Sequence, residues 1–132
     1  MNTEQARAHF RKDRFAVLAG IEIVEAGKGM CRARMAIGDQ HLNAAGVVQG
    51  GAIFTLADFA FAVASNSHGQ LALAINANIS FLEARSTGIL YATAIEVGKP
   101  KRLGTYDVLV TDADEVVIAR LNGMVYGEKQ SI

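Results

Sequence analysis

Residues 50–66 read GGAIFTLADFAFAVASN, and this stretch decides what kind of fold the chain can form. On a helical projection it is apolar or small on nearly every face, and only Asp58 carries a charge. A helix that is hydrophobic all round is a buried helix. We therefore predict one long helix from Gly50 to about Asn66 at the centre of the molecule.

The segments on both sides of this helix have the character of β-strands. Residues 30–37 alternate apolar side chains with arginine, which is the pattern of a half-buried strand. The predicted strands are 21–25, 30–37, 71–82, 89–97, 104–111 and 116–126, with turns at 26–29, 98–102 and 112–115 and a long loop at 38–49. An N-terminal helix capped by Asn2 or Thr3 is expected to run to about Leu18 and to end at Gly20.

The apolar faces of one helix and a run of antiparallel strands can be buried only against each other. We therefore expect a single α+β domain, residues 1–132, in which an antiparallel sheet curves around one central helix. The hydrophobic fraction of 51% supplies enough apolar material for the core of such a domain.

Composition argues against several classes of partner and cofactor. Lys plus Arg and Asp plus Glu both number 13, so the chain has no net charge with which to attract nucleic acid or an anionic membrane. No apolar segment is long enough to span a bilayer, and no secretory signal is visible. Cys31 is the only cysteine and the three histidines lack metal-ligand spacing, so we expect neither a disulfide nor a metal. We expect a soluble, cytoplasmic protein.

Asp58 is the only formally charged residue between Asp39 and Glu83, and it lies inside the helix predicted to be buried. Withdrawing a carboxylate from water is costly unless the group is paired or hydrogen-bonded. No Lys or Arg stands at helical spacing from Asp58. Two interpretations are open. Asp58 forms a structural hydrogen bond, to a neighbouring loop or across a dimer interface, or it is a functional carboxylate in an apolar cleft.

Gly50 and Gly51 open the helix. Backbone N–H groups at a helix N-terminus lack intrahelical acceptors and lie at the positive end of the helix dipole, so they suit an oxyanion. Asp58 lies about 12 Å further along the axis, too far for one helix to bring both groups to one carbonyl. An antiparallel copy of the helix across a two-fold axis would place Asp58 of one chain opposite Gly50 of the other. This geometry predicts an isologous dimer with two shared sites.

Residues 41–58, HLNAAGVVQGGAIFTLAD, resemble the signature of the hotdog-fold acyl-CoA thioesterases, in particular the phenylacetate-degradation (PaaI-like) branch. NISFL at 78–82 and GTYDV at 104–108 are similar to further segments of that family. The resemblance covers most of the chain, from about Phe15 onward. It implies a hotdog fold, in which an antiparallel sheet wraps around one long helix. It also implies an acyl-CoA substrate, no cofactor, and a homodimer or homotetramer.

The resemblance further implies catalytic roles. Asp58 would be the nucleophile or the general base for water, and the Gly50 N–H would polarise the thioester carbonyl. Asn43, reaching over from the partner subunit, would position the carboxylate or the attacking water. The family usually has histidine where this chain has Gln49. Glutamine can form hydrogen bonds at similar reach but cannot carry a proton at neutral pH, so a lowered rate on an unchanged fold is compatible with this position.

Other residues are candidates for binding the substrate. They are Gly51 and His41 near the helix start, Asn66 at the helix end, and Lys99, Lys101 and Arg102 in one turn. Asn66 is either a capping residue or part of an acyl pocket. The basic turn is either solvated or in contact with the phosphates of CoA.

Three other functions stay open at this point. Gln49 would suit a catalytically weak acyl-CoA binding protein on the same fold. A hotdog dehydratase or hydratase would pair a catalytic histidine with an acidic residue, and the expected histidine is not in the signature. A purely structural oligomerisation module would leave the charge of Asp58 unexplained.

Overall fold

The computed structural model describes all 132 residues. Its elements, in chain order, are α1 (Thr3–Phe10), α2 (Arg14–Ala19), β1 (Ile21–Gly27), β2 (Met30–Ala36), a 3₁₀ turn (Asp39–His41), α3 (Gly50–Asn66), β3 (Gln70–Phe81), β4 (Ile89–Gly98), β5 (Leu103–Thr111) and β6 (Val117–Ser131). The central helix α3 has the bounds that its composition predicts.

The six strands form one antiparallel sheet in the order β1-β2-β4-β5-β6-β3, and α3 packs against all of them. Side chains at alternate strand positions face the helix, as the pleat requires. The central ones are small: Ala33 pairs with Ala92, and both are fully buried. Small side chains here let the sheet come close to α3 and curve around it. This is the hotdog arrangement, so the predicted fold class is confirmed.

The N-terminal segment differs from its prediction, because two short helices replace the single one. Asn2 caps α1 as expected, but the Asp13 side chain accepts a hydrogen bond from Ala16 N (3.0 Å) and starts a second helix. A side chain that caps a new helix competes with continuation of the previous one. Gly20 ends α2 with φ = 77°, as expected of a glycine in the left-handed region.

The last strand is longer than predicted. The alternation of apolar residues stops near Tyr126, but β6 continues to Ser131 because the start of β3 pairs with it, with Gln70 opposite Ser131. Backbone hydrogen bonds to a neighbouring strand satisfy this polar segment where side-chain burial does not. The predicted hairpins β4–β5 and β5–β6 are both present.

One face of α3 is not covered by the sheet of its own chain. Gly51, Thr55, Asp58 and Ala62 lie on this face at intervals of three or four residues, and all four are less buried than Leu56 on the sheet side. The sheet and the N-terminal helices therefore bury the rest of α3, and Asp58 lies on the face that the sheet leaves open.

Strand β3 is an uncovered edge of the sheet. It pairs only with β6, and its apolar side chains Leu73 and Ile75 are 55% and 56% exposed. A long apolar edge strand presents unpaired N–H and C=O groups on which another chain can add. The open face of α3 and the free edge of β3 are thus surfaces that the rest of the chain leaves partly uncovered.

Candidate active site

Asp58 is a half-buried carboxylate without a partner. No residue of the chain donates a hydrogen bond to it or forms an ion pair with it. Burial raises the pKa of Asp58 above its ordinary value, and the negative charge of Asp13 raises that pKa further. A carboxylate with a raised pKa is a stronger base and nucleophile, which is the property that acid–base and covalent catalysis need.

Asp58 lies in the wall of a cavity of about 310 Å³. Apolar side chains make up most of the remaining wall, including Phe61 and Ala62 of α3, Leu71 of β3 and Phe10 of α1. Such a cavity suits an apolar group attached to a reacting centre beside the carboxylate.

Gly50 is the first residue of α3, and its N–H donates to no acceptor in the chain. The ring of Phe81 lies 3.1 Å from the position that a Cβ on residue 50 would occupy, so a side chain at residue 50 would displace this half-exposed ring by a few tenths of an ångström. The two residues border an apolar cleft of about 430 Å³. A free N–H at a helix N-terminus beside a cleft can stabilise an oxyanion.

Gln49 caps α3. Its Oε1 accepts a hydrogen bond from Gly51 N at 2.8 Å, while the Gly50 N–H is left free. The Gly51 donor, predicted to bind substrate, is therefore occupied by Gln49. Gln49, at the position where the resembled signature usually has histidine, therefore stabilises the N-terminus of α3.

Gly50 and Asp58 do not form one site within a single chain. They border separate cavities that share no lining residue, and they lie about 12 Å apart along the helix axis. The start of α3 and Asp58 are therefore separate features of one chain, and we call them the two half-sites.

The loop before α3 is held by two of the predicted residues. Asn43 is exposed, and its Oδ1 accepts hydrogen bonds from Ala45 N (2.9 Å) and Val47 N (3.2 Å), while its amide NH₂ donates to nothing in the chain. His41 is buried: Nδ1 accepts from Gly38 N (2.9 Å), and Nε2 lies 2.7 Å from the Ala19 carbonyl, to which it donates. Both nitrogens of His41 are thus used inside the fold, so its place is in the loop framework rather than in a binding cavity.

Asn66 joins the end of α3 to the start of β3. Its amide donates to the carbonyls of Ala62 (2.8 Å) and Ala72 (3.0 Å), and its Oδ1 accepts from Ala72 N (2.9 Å). The residue borders the cavity of Asp58, but its polar atoms are occupied. It shapes the cavity by fixing the two elements.

The basic turn borders a third cavity, of about 360 Å³, whose lining contains no acidic and no apolar residue. Lys99, Lys101 and Arg102 are joined there by Lys129 and Gln70. Lys129 does not stand out in the sequence, because the β5–β6 pairing, rather than proximity in sequence, brings it to the turn. Gln70 borders this cavity while the next residue, Leu71, borders the cavity of Asp58.

His9 and Phe10 also line the cavity of Asp58, and the sequence did not identify them as site residues. Phe10 is the last residue of α1, and no spacing in the sequence indicates that it would reach α3. No group of three or more His, Cys, Asp or Glu side chains in the chain could hold a metal ion. None of the helices is long and apolar enough to cross a membrane.

The chain is similar to known proteins. A family model described as the thioesterase superfamily matches residues 45–119. The chain is 33% identical over 133 residues to the acyl-coenzyme A thioesterase PaaI of Escherichia coli, with 95% of each chain covered. The structure of E. coli PaaI, from the phenylacetic acid degradation operon, superposes with a TM-score of 0.92 at 32% identity over 98% of both chains. A mutant of the phenylacetic acid degradation protein PaaI of Thermus thermophilus superposes with a TM-score of 0.83 at 30% identity, over 86% of this chain and 98% of that one.

Proposed function

Because the chain belongs to the thioesterase superfamily, we propose that it hydrolyses an acyl-CoA thioester to the free acid and CoA, with Asp58 as the working carboxylate. The observation that carries this proposal is the unpaired Asp58, whose pKa is raised, in the wall of an apolar cavity. We propose an aryl-acyl group such as phenylacetyl, in keeping with the aromatic side chains Phe10 and Phe61 in that wall and with the names of the relatives.

In the proposed reaction, the free Gly50 N–H donates a hydrogen bond to the thioester oxygen as negative charge develops there. In one route Asp58 takes a proton from a water molecule, which adds to the carbonyl carbon. In the other route Asp58 attacks that carbon itself, and water then hydrolyses the mixed anhydride. In both routes the C–S bond breaks and CoA leaves as the thiolate. The free amide NH₂ of Asn43 is available to orient the carboxylate or the water.

The two half-sites support a shared site in a homodimer, with a homotetramer as a dimer of such dimers. Two copies of α3 that run antiparallel would each contribute Asp58 to the Gly50 of the other. The open face of α3 with Thr55 and Ala62, and the exposed edge of β3, are the surfaces that such a pairing would cover.

The basic cavity is the proposed site for the phosphates of CoA. Lys99, Lys101, Arg102 and Lys129 surround it without an acidic neighbour. Cations in this arrangement suit a multiply charged phosphate group. Replacing both Lys99 and Lys101 by Ala should raise KM about 10-fold and leave kcat unchanged, because only ground-state binding is lost. Lys28→Ala, at an exposed lysine in the β1–β2 turn, is the control, and an unchanged KM in the double variant would remove the CoA assignment.

A catalytically weak acyl-CoA binding protein is the second candidate, because Gln49 cannot transfer a proton. A dehydratase has less support, because Gln49 stands where the signature would carry its histidine. His41 is fixed by two hydrogen bonds and His68 is paired with Glu96 at 2.9 Å, which leaves His9 as the one histidine beside Asp58. We also propose a cytoplasmic location, since Cys31 is free and buried, as is usual in reducing compartments.

The test of the proposed function is release of free thiol from a panel of acyl-CoAs that includes phenylacetyl-CoA and straight chains of increasing length. Turnover of at least one aryl-acyl-CoA is expected. Tight binding of acyl-CoA without turnover would favour the binding protein.

A further inference from the structure

The cavity of Asp58 has a second space beside it, and one side chain borders both. A groove of about 460 Å³ runs between the N-terminal helices and β1. Val17, Ile21 and Phe59 belong to the apolar part of its wall, and four charged side chains, three of them arginines, border it as well. Phe10 lines this groove and also lines the cavity that contains Asp58. No other residue lines both. The Phe10 ring therefore forms the partition between the cavity and the groove.

The partition is held in place by aromatic packing. The ring of Phe10 lies edge-on against Phe59 of α3, with 5.8 Å between ring centroids, and the His9 ring lies edge-on against Phe10 at 4.9 Å. Edge-to-face aromatic pairs at these distances are attractive beyond the area that they bury. Phe10 is therefore fixed against α3, close to the cavity of Asp58.

The helix that carries Phe10 is also anchored. Thr3 Oγ1 donates to the Ala26 carbonyl (3.2 Å) and accepts from Ala26 N (3.1 Å). Arg7 donates through Nε to the Ile23 carbonyl and through Nη2 to the Val24 carbonyl, both at 3.2 Å. These bonds attach α1 to β1 near both ends of the helix. The part of the cavity wall that α1 provides is therefore fixed in position.

We propose that Phe10 determines the length of acyl group that the protein accepts, by closing the cavity of Asp58 off from this groove. With Phe10 in place, the acyl group is confined on the α1 side to the cavity of about 310 Å³, which favours compact groups. Without the ring, the cavity opens into the groove, and a long straight chain can continue past α1 along Val17 and Ile21. This inference rests on the proposed function for its substrate class.

The first test is the acyl preference of Phe10→Ala. Each added methylene bound in an apolar pocket changes kcat/KM by about 10-fold or more. The ratio of kcat/KM for dodecanoyl-CoA to that for phenylacetyl-CoA should therefore rise by about 10-fold or more in this variant. Phe15→Ala is the matched control, because Phe15 lies on α2, is 65% exposed and borders neither space, and its ratio should stay at the wild-type value. A wild-type ratio in a Phe10→Ala variant with a cooperative melt would overturn the proposal.

The second test needs neither turnover nor the alanine variant. The chain has no tryptophan, so Phe10→Trp introduces a single tryptophan at the partition, which can be excited selectively over the three tyrosines. Its emission should shift when a non-hydrolysable thioether analogue of phenylacetyl-CoA is added and should not shift with CoA alone. Phe15→Trp should respond to neither. An unresponsive Phe10→Trp at saturating thioether would overturn the proposal. A responsive Phe10→Trp together with a wild-type protein that hydrolyses no acyl-CoA would refute the proposed catalysis and leave the role of Phe10 standing.

Discussion

Two features of its surroundings raise the pKa of Asp58. The apolar cavity wall removes water from the carboxylate, and the negative charge of Asp13 opposes its ionisation. Asp13 has a second task, since its side chain caps α2 through Ala16 N. A residue that stabilises a helix end and also places a like charge near the working carboxylate affects both folding and chemistry. The two effects can be separated, because asparagine keeps the cap and removes the charge.

Asp13→Asn should therefore move the acid limb of the pH profile of kcat/KM to lower pH. In the proposed mechanism Asp58 acts in its ionised form, so activity rises with pH as it loses its proton. The charge of Asp13 raises the pKa of Asp58, and its removal lets Asp58 ionise at lower pH. The measurement is kcat/KM against pH for both proteins, with equal melting temperatures as the control for the cap. A limb at its wild-type position would show that Asp13 does not act on Asp58.

At the scale of elements, α3 carries the half-sites and its start depends on Gln49. Loss of an N-cap side chain costs about 0.5–2 kcal/mol, and an exposed cap belongs at the lower end of that range because water replaces it in part. Gln49→Ala should lower the free energy of unfolding by roughly that amount, measured by urea denaturation. Gln5→Ala, in the capping box of α1, is a matched loss of a glutamine at another helix start. An unchanged stability in Gln49→Ala would mean that its hydrogen bond to Gly51 contributes nothing.

The elements also show how far sequence patterns reach. The bounds of α3 follow from a continuous apolar run that begins with two glycines and ends with polar residues. The strands follow from the alternation of apolar and polar side chains. The break after Phe10 and the extension of β6 depend on a cap by Asp13 and on pairing with β3, and neither leaves a periodic signal. The site residues divide in the same way. Asp58 and Gly50 can be identified from the sequence immediately around them, whereas Phe10 and Lys129 reach their cavities through tertiary packing, which leaves no local sequence signal.

At the scale of the whole molecule, the half-sites at Gly50 and Asp58 become one site only if two chains combine them. Two inactive variants should therefore complement each other. Gly50→Pro removes the N–H donor at a helix position that tolerates proline, and Asp58→Asn removes the carboxylate charge. Unfolding the two variants together and refolding them should give about half heterodimers with one intact site each, and so about a quarter of wild-type activity.

Each variant refolded alone is the control and should stay inactive. Light scattering should give a mass at least twice the 14.0 kDa of one chain. An inactive mixture of well-folded variants, or an active species with the mass of one chain, would contradict the shared site.

The central claim is that Asp58 does the chemistry, and its replacement by Asn tests that claim most directly. Asn keeps the shape of the side chain and removes its charge and basicity, so kcat on the best acyl-CoA should fall by roughly 10²–10⁴, the usual contribution of a positioned base. The folded chain holds the Asp58 proton more tightly than the unfolded chain does, so the ionised group opposes folding at neutral pH. The melting temperature of Asp58→Asn at neutral pH should therefore equal or exceed that of the wild type. A near-normal kcat, or a loss of activity that only follows a lowered melting temperature, would contradict the account.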